Sequence, residues 1–346
     1  MKRAGAICLF AVIAASALAP WLAPNDPNAR FNDLLYAPPT RVYLFDAGGP
    51  EGPPLRDSAD RDASRGGPLG PPDITGPHIY PWTLVSRLER RFEADRSRPI
   101  ALSWFSDGRL VTGDAASGAP LLILGADGYG RDIFARLLYG GRATLAVAAL
   151  ATLGATLLGA LIGGLSGQAA WWIDAVLSRA SEFVLVLPAI YVALALRAVM
   201  PLVLSAPTVF LLLTGIFTLL GWPVVARGVR AIVLAERERE YVIAARAAGA
   251  GGGRLLLRHL LPAAGGYITT QATLLLPAFI LAEATLSFVG LGFPTTMATW
   301  GTMLQDAANV ATLGDAPWAL APAAAMFLVV LSVNLLVQGK SSPTDQ

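Results

Sequence analysis

Few residues in this sequence combine the type and the spacing that catalysis or metal binding requires. The one cysteine, Cys8, lies in an apolar run, which excludes an intrachain disulfide and a cysteine-based metal cluster. The two histidines, His78 and His259, are far apart in the sequence, and no other residues support a metal site between them. We therefore predict no catalytic residue, no bound metal and no cofactor on this chain.

One short segment resembles the end of a phosphate-binding loop. Such a loop holds nucleotide phosphates with backbone amides and a lysine, in the order Gly-x-x-x-x-Gly-Lys-Ser/Thr. Residues 339–341 are Gly-Lys-Ser, but Asn334 replaces the earlier glycine, and the residues that remain are too few for the helix that should follow. We expect no ATP site here, so any ATP must be bound by another subunit.

The composition is that of a membrane protein. Charged residues make up 14% of the chain, against about 25% in typical soluble proteins, and apolar residues make up 54%. The formal net charge of +2 provides no strong attraction to nucleic acid. The expected surroundings are therefore membrane lipid, and no nucleic-acid partner is expected.

Six apolar segments are candidates for helices that cross a bilayer, which takes about 20 residues. The third is the least regular, because Asp174 and Glu182 precede it and Pro188 lies inside it, so we expect an extended or kinked helix there. The six predicted spans are 4–22, 143–165, 183–196, 207–226, 265–282 and 317–337.

The first of these spans has an alternative interpretation. It follows the basic pair Lys2-Arg3, and residues 17–19 resemble the small-residue site at which a signal peptide is cleaved. Pro20 would then begin the mature chain, which signal peptidases tolerate poorly. We therefore favour a retained first helix over 1–22.

The distribution of basic residues predicts the orientation, since short cytoplasmic loops are enriched in Lys and Arg. The segment 227–259 contains seven arginines, whereas 291–316 contains neither Lys nor Arg. We expect both termini, including the tail 339–346, and the arginine-rich loop to lie in the cytoplasm. The predicted division is a first helix, an outside loop over 23–142, and a five-helix core over 143–338.

The long outside loop predicts a small folded lobe at about 80–115. Its earlier part is rich in proline, glycine and charge, which is typical of irregular chain. Apolar residues in 84–92 follow the period of a short helix, and 100–104 alternate as in a strand before the turn signal Asp107-Gly108. The expected insert is α+β, with one helix and a hairpin.

The arginine-rich loop carries the most informative pattern. Small residues such as Ala244 and Ala245 give a predicted helix a narrow face, and 249–253 is a glycine-rich break. A second short helix is predicted over 254–261, ending at Pro262. From the residues alone, this helix-turn-helix either inserts into a groove on a partner or is a solvated loop whose arginines only set the topology.

The loop resembles the EAA loop of ATP-binding cassette (ABC) importer permeases, specifically the dipeptide, oligopeptide and nickel group. Two residues depart from the general pattern, Ile243 where a glutamate is expected and His259 where an aliphatic residue is expected. Both departures resemble the peptide-importer branch. The resemblance assigns an ATPase-coupling loop within 227–262 and, in it, Glu240, Tyr241, Ala244, Ala245, Gly249, Arg254, His259, Leu261 and Pro262.

Three further segments resemble the same family. They are 124–132, whose glycines lack the strand-and-crossover context of a nucleotide loop, 286–292 followed by Trp300-Gly301, and 23–27 with Pro38-Pro39. The last resembles the "C" type of permease rather than its "B" type partner. The resemblance covers 1–40 and 120–340, whereas the stretch 41–120 has no match.

The resemblance implies a type I permease fold in a bacterial inner membrane, all-α with six transmembrane helices. Such a permease forms half of the path for peptides or a related small solute. Nickel or another non-peptide solute is the alternative. The implied partners are a second homologous permease, two cytoplasmic ATP-binding subunits and a periplasmic substrate-binding protein. ATP binding would close the ATPases, and the helix 241–249 would transmit that motion to the spans.

One ionisable residue stands late in the fifth span. Glu283 would be costly in lipid if charged, so we expect it to line the substrate path or to reach the outer interface, which its position favours. A membrane-bound enzyme would need paired titratable residues at this depth, and Glu283 and Arg197 are isolated in the sequence. A membrane scaffold for the outside lobe would leave the EAA-like loop unexplained.

Overall fold

The structure is a computed structural model of the whole chain. It describes residues 2–44, 76–86, 89–115, 118–188, 191–192, 195, 205–308, 313–314 and 316–338. The chain divides into two compact units, and each is described by itself. Unit 1 comprises Met1–Ala14, Gly140–Gln305 and Pro322–Gln346, and unit 2 comprises Ala15–Tyr139 and Asp306–Ala321.

Helices account for most of the described chain. Each long helix is apolar around most of its circumference, as expected where lipid rather than water surrounds it. The helices are α1 (Lys2–Ala17), α2 (Ala19–Leu22), α3 (Ile133–Gln168), α4 (Trp171–Val186), α5 (Ala206–Glu236), α6 (Glu240–Ala247), α7 (Gly252–Leu255), a π-helix (Leu256–Leu260), α8 (Leu261–Ala263), α9 (Gly265–Phe288), α10 (Trp300–Asp306), a 3-10 helix (Pro317–Leu320) and α11 (Ala321–Gln338).

Four helical segments of the described chain are long and apolar enough to cross a membrane. They are Ile133–Gln168, Ala206–Glu236, Gly265–Phe288 and Pro317–Val337, and they contain the second, fourth, fifth and sixth predicted spans. The first predicted span is a shorter apolar helix at Arg3–Ala17. A fold with several helices of spanning length is thereby confirmed, while the count of six stays a prediction.

The third predicted span, expected to be an extended or kinked helix, is interrupted at Pro188, and helical residues resume at Tyr191 and Val192, whose N–H groups donate to the carbonyl of Pro188. Helix α4 ends at Val186, and Leu187 is already extended at φ −74 and ψ 116. The proline explains the end, because its ring disfavours helical geometry in the residue before it. Most of the remaining predicted span, 189–196, lies outside the described residues.

Small residues let α3 and α5 approach closely within unit 1. A Cβ atom on Gly159 would lie 2.6 Å from the carbonyl oxygen of Trp222, and one on Gly163 would overlap the carbonyl of Ala226. Ala155, one turn before Gly159, is fully buried. The four-residue stripe is therefore a helix-packing surface, which is how small residues act between helices in lipid.

Unit 2 contains three small antiparallel sheets within the described residues. One has three strands in the order β1-β2-β5, and the other two are the pairs β3-β4 and β6-β7. The strands are β1 (Val42–Tyr43), β2 (His78–Ile79), β3 (Trp82–Ser86), β4 (Arg91–Ala94), β5 (Ile100–Ala101), β6 (Ser103–Trp104) and β7 (Val111–Thr112).

The helix predicted over 84–92 is wrong, because this segment forms the β3-β4 hairpin. Burial alternates along β3, with Trp82 and Leu84 less exposed than Thr83 and Val85. Two β-branched residues and an aromatic residue favour a strand. The apolar residues 84, 85, 88 and 92 also match a helical period, and so few positions cannot separate the two patterns.

The hairpin predicted around Asp107-Gly108 is confirmed. Asp107 and Gly108 have φ values of 52 and 73, and β6 pairs with β7 across them. Positive φ at both central residues is typical of a tight hairpin turn. The single strand expected over 100–104 is instead two strands, since β5 pairs with β2 and β6 pairs with β7.

A buried network of four charged residues stabilises unit 2. Arg131 lies 2.7 Å from Asp127 and 2.6 Å from Asp306. Arg136, which is fully buried, lies 3.6 Å from Asp127 and 3.8 Å from Asp306. Removing one member would leave an uncompensated buried charge, which costs several kcal/mol in proteins, about 3–5.

Asp132, next to this network, caps the start of α3. Its Oδ1 accepts hydrogen bonds from the backbone N–H groups of Phe134 at 2.8 Å and Ala135 at 3.3 Å, and its Oδ2 accepts one from Asn25 at 2.8 Å. An aspartate at this position satisfies amides that the helix leaves unpaired. Burial nevertheless raises the pKa of Asp132 to about 6.

Candidate functional site

The candidate site is the loop between α5 and α9, which we call the coupling loop and define as 237–264. The chain leaves α5 at Glu236, forms the short helix α6, turns at 248–251 and returns through α7, the π-helix and α8. The predicted helix-turn-helix is thus present. The segment 227–236, expected to be part of the loop, belongs to α5 instead.

Gly249 creates the turn after α6. Its φ is +84, a left-handed conformation in which L side chains are strained. The N–H of Gly249 donates to the carbonyl of Arg246, and the N–H of Ala250 donates to that of Ala245, both at 3.0 Å. These two bonds form a Schellman motif, which ends a helix where a glycine follows it. The predicted glycine-rich break is shorter than expected, because α7 already begins at Gly252.

Pro262 does not end the second helix, contrary to the prediction. Helical structure continues from α7 through the π-helix Leu256–Leu260 into α8, which has the proline in its first turn. A proline normally clashes with the carbonyl four residues earlier. Here a π-turn directly precedes the proline, with the N–H of Leu261 donating to the carbonyl of Leu256, and the wider turn accommodates the proline ring.

A hydrophobic core fixes the coupling loop on α5. Val242 of α6 is fully buried, and three leucines of the returning segment are at most 5% exposed. All of them pack against one face of α5. Burying such a side chain contributes about 1.5–3 kcal/mol. The buried members are Val225, Val229, Val233, Val242, Leu255, Leu256, Leu260 and Ala264.

The opposite face of the coupling loop is exposed, although many of its residues are apolar. Tyr241 is 45% exposed, Ile243 is 51% exposed and Leu257 is 63% exposed. Ala244 is exposed and Ala245 is partly exposed. A rigid helix that presents small and apolar side chains away from its own core has the character of an interaction surface.

Polar contacts orient the aromatic residue of this surface. The hydroxyl of Tyr241 donates a hydrogen bond to Glu236 at 2.6 Å, and this bond raises the pKa of Tyr241 above its usual value. The rings of Tyr241 and His259 lie 6.2 Å apart. The site thus brings these two predicted residues together from the two sides of the turn.

The other predicted residues of the loop have separate positions. Glu240 is exposed in the first turn of α6, where a negative charge suits the helix dipole. Arg254 is exposed in α7, Leu261 packs against the core, and Pro262 is exposed. Their placement on one compact element supports the grouping but assigns no chemistry to them.

Glu283 is enclosed rather than exposed at the end of its helix. Its side chain is fully buried, and its carboxylate accepts hydrogen bonds from Thr144 at 2.8 Å and from Ser287 at 2.7 Å. The backbone N–H of Trp300 donates to the same threonine hydroxyl at 3.2 Å. These hydroxyls connect α3, α9 and α10, and a role for Glu283 in the substrate path stays a prediction.

An ion pair that joins α4 and α5 near the end of α3 was not predicted from the sequence. Arg230 of α5 donates two hydrogen bonds, both of 2.5 Å, to the carboxylate of Asp174 in α4, which also accepts one from Ser166. No local pattern indicates this pairing, because Asp174 and Arg230 are 56 residues apart along the chain. Beside it lies a cavity of about 370 Å³ whose lining includes Glu182 and Arg227.

Comparison with known proteins identifies the family. Residues 141–339 match the family described as the binding-protein-dependent transport system inner membrane component. The chain belongs to this family. The match contains the coupling loop and most of unit 1, so the exposed helix lies inside the region that defines these permeases.

Individual relatives agree with the family match. A protein of Brucella ovis that is named as a peptide permease is 41% identical over 222 residues, 64% of this permease and 72% of the relative. The dipeptide transport system permease protein DppC of Alkalihalophilus pseudofirmus is 36% identical, with 64% and 70% covered. The oligopeptide transport system permease protein OppC of Bacillus subtilis is 33% identical, with 64% and 70% covered.

Proposed function

We propose that this permease forms half of the translocation path of an ABC importer for peptides, beside a second, homologous permease subunit. Its relatives are named as peptide, dipeptide and oligopeptide permeases, which favours a peptide cargo over nickel or another non-peptide solute. The polar cavity between α3, α4 and α5 supports passage of a polar solute through an otherwise apolar helix bundle.

The observation that carries the proposal is the exposed face of α6 on a rigid, buried base. Tyr241 and Ala244 face away from the core that Val242 enters, so a partner can take up this face without unfolding the loop. The partner is a pair of cytoplasmic ATP-binding subunits, whose movement the coupling loop passes to α5 and α9. Such rigid-body movement is a common way to switch a membrane protein between two states.

The orientation in this proposal places the coupling loop and both termini in the cytoplasm. The lobe of unit 2 then lies outside, where a periplasmic substrate-binding protein delivers the cargo. Six spans are required for this arrangement, namely the four helices of spanning length, the shorter α1 and one that begins with α4. The permease itself has no ATPase activity in this division of labour, and the membrane-bound enzyme and the scaffold are not proposed.

Reconstitution tests the proposed function. The permease, its partner permease, the two ATPases and the binding protein are placed in proteoliposomes, and uptake of radiolabelled dialanine is measured with and without ATP. We expect ATP-dependent uptake that stops when the permease is omitted. ATP-dependent uptake of Ni²⁺ without uptake of dialanine would contradict the peptide assignment, and specific ATP binding by the isolated permease would contradict the division of labour.

A further inference from the structure

Two exposed aromatic side chains mark the β6-β7 hairpin of unit 2. Trp104 ends β6 and is 53% exposed, and Phe105, the next residue, is 71% exposed. The hairpin precedes the segment that matches the permease family, which begins at residue 141. It also lies in the stretch 41–120, which resembles no part of that family, so the transport core does not explain these exposed rings.

Backbone hydrogen bonds join the hairpin to the short helix α2. The N–H of Leu110 donates to the carbonyl of Trp21 at 2.7 Å, and the N–H of Phe105 donates to the carbonyl of Leu110 at 3.0 Å. The Nη1 group of Arg109 donates to the carbonyl of Pro24 at 2.7 Å. Trp21 is itself exposed, so the aromatic residues of the hairpin and of α2 lie on directly bonded backbone segments.

The position of α2 relates the hairpin to the membrane. Ala19 of α2 belongs to a buried cluster with Ala135 and Leu138, so α2 packs against the first two turns of α3. Helix α3 is long and apolar enough to cross a membrane, and its uncharged part begins after Arg142. The chain that enters α2 is likewise uncharged over 4–25. Both observations place α2, and with it the hairpin, at the boundary between the hydrocarbon and water.

The residues at this boundary suit phospholipid head groups. Aromatic rings are enriched there, because a tryptophan combines an apolar ring with an N–H group that water and head groups can accept. Arg109 adds a guanidinium group, which binds phosphate oxygens well. Asp107, exposed at the turn, would be costly in the hydrocarbon. The contact is therefore with the head-group layer and not with the lipid core.

We propose that the β6-β7 hairpin lies on the membrane surface at the end where α3 begins. Trp104 and Phe105 enter the head-group layer, and Arg109 lies beside the lipid phosphates. The lobe of unit 2 is thereby held at the membrane by lipid as well as by the helices that it joins. The inference goes beyond the proposed function, because it requires only that α3 crosses the membrane and not that the chain transports peptides.

Fluorescence quenching by labelled lipids tests the contact. The permease pair, free of other cysteines, is placed in phospholipid nanodiscs with an environment-sensitive fluorophore attached at Phe105→Cys. The quenchers are phospholipids with a nitroxide either at the head group or near the middle of an acyl chain. Glu93→Cys is the control, because Glu93 forms an exposed ion pair with Arg91 at 3.0 Å, which places this part of the same unit in water.

We expect the label at 105 to lose emission with the head-group nitroxide and to lose less with the acyl-chain nitroxide. Its emission should also lie at a shorter wavelength than that of the label at 93, which neither lipid should quench. Trp104→Ser should reduce the quenching at 105, because it removes a ring from the head-group layer. Val85→Ser, which removes a similarly exposed apolar side chain from β3, should leave this quenching unchanged.

Equal quenching at 105 and 93 would overturn the proposal, as would equal effects of Trp104→Ser and Val85→Ser. A protein that covers the hairpin instead would protect the label at 105 from both lipids. Its emission would then shift when the substrate-binding protein is added or when the second permease is omitted, and either result would overturn the lipid contact. Failure of the proposed function is seen separately, as loss of ATP-dependent dialanine uptake in a complex that keeps its quenching at 105.

Discussion

Gly249 offers a test of whether the left-handed turn in the coupling loop is needed for binding of the ATPase subunits. Gly249 has φ +84 and Gly251 has φ −69, and a Cβ atom added to either residue meets nothing within 4 Å. Gly249→Ala and Gly251→Ala therefore add the same methyl group in equally open space. They differ in backbone conformation, because only the first residue must be left-handed.

The expected magnitude follows from that conformation. A left-handed backbone costs an alanine about 1–2 kcal/mol, and at 1.4 kcal/mol per tenfold this corresponds to a loss of affinity of about five- to thirtyfold for a partner that needs the turn intact. Gly249→Ala should weaken binding of the ATPase subunits by this factor, and Gly251→Ala should leave it unchanged. Gly249→Asn should lie between them, since asparagine tolerates the left-handed region better than alanine.

The assay is titration of the solubilised permease pair with the ATPase subunits, alongside dialanine uptake and the amount of permease in the membrane. The helices of unit 1 should insert normally in every variant, because the change is confined to the loop. Equal affinities for Gly249→Ala and Gly251→Ala would refute the argument from backbone strain. A bulky variant, Gly249→Glu, that assembles normally but fails in uptake would show that docking survives and the transmission of motion does not.

Three further predictions concern packing, pH and topology. Gly163→Ala should lower the melting temperature of the permease in detergent, because its methyl group overlaps α5, whereas Gly215→Ala, a helical position with nothing within 4 Å, should not lower it. Burial raises the pKa of Asp132 from 3.8 to about 6, so the stability that this carboxyl group contributes is complete below about pH 4 and is lost as the pH rises through 6, a change of about 3 kcal/mol. The melting temperature of the unaltered permease should therefore fall between pH 4 and pH 7, and that of Asp132→Asn should fall less. An equal fall in both proteins would contradict the argument. In a chain whose own cysteine is replaced, Ala101→Cys and Gly251→Cys should react with a membrane-impermeant maleimide from opposite sides of the membrane, and labelling from the same side would contradict the proposed orientation.

The sequence predicted the long helices well, because lipid-facing segments must be apolar over their whole length. The coupling loop could also be located, since Gly249 and the alanines before it form a local pattern that does not depend on distant residues. Its boundary with α5 was placed too early, because Arg227 and Arg230 lie inside the helix. Arginine near a helix end is compatible with both helix and loop, so charge alone does not mark where the helix stops.

Features that depend on pairing between distant residues could not be predicted. The hydrogen bonds from Thr144 to Glu283 and from Arg230 to Asp174 join different helices, and no spacing in the sequence indicates either pair. The same limit explains the error over 84–92, where a few apolar residues fit two periods and the cross-strand partner decides between them. Pro262 was misjudged for a different reason, since a π-turn absorbs a proline that an ordinary α-turn would exclude.

The length of α5 has a mechanical consequence. Its 31 residues make a rod of about 46 Å, while the hydrocarbon layer is about 30 Å thick, so about 16 Å of the helix extends beyond the lipid core. A tilt of about 10° around the centre of such a rod displaces each end by about 4 Å, more than the length of a hydrogen bond. The stroke available to the coupling loop therefore scales with the distance from the centre of α5 to its end, about 23 Å, and shortening that arm by one turn of about 5.4 Å would reduce the stroke by about a quarter.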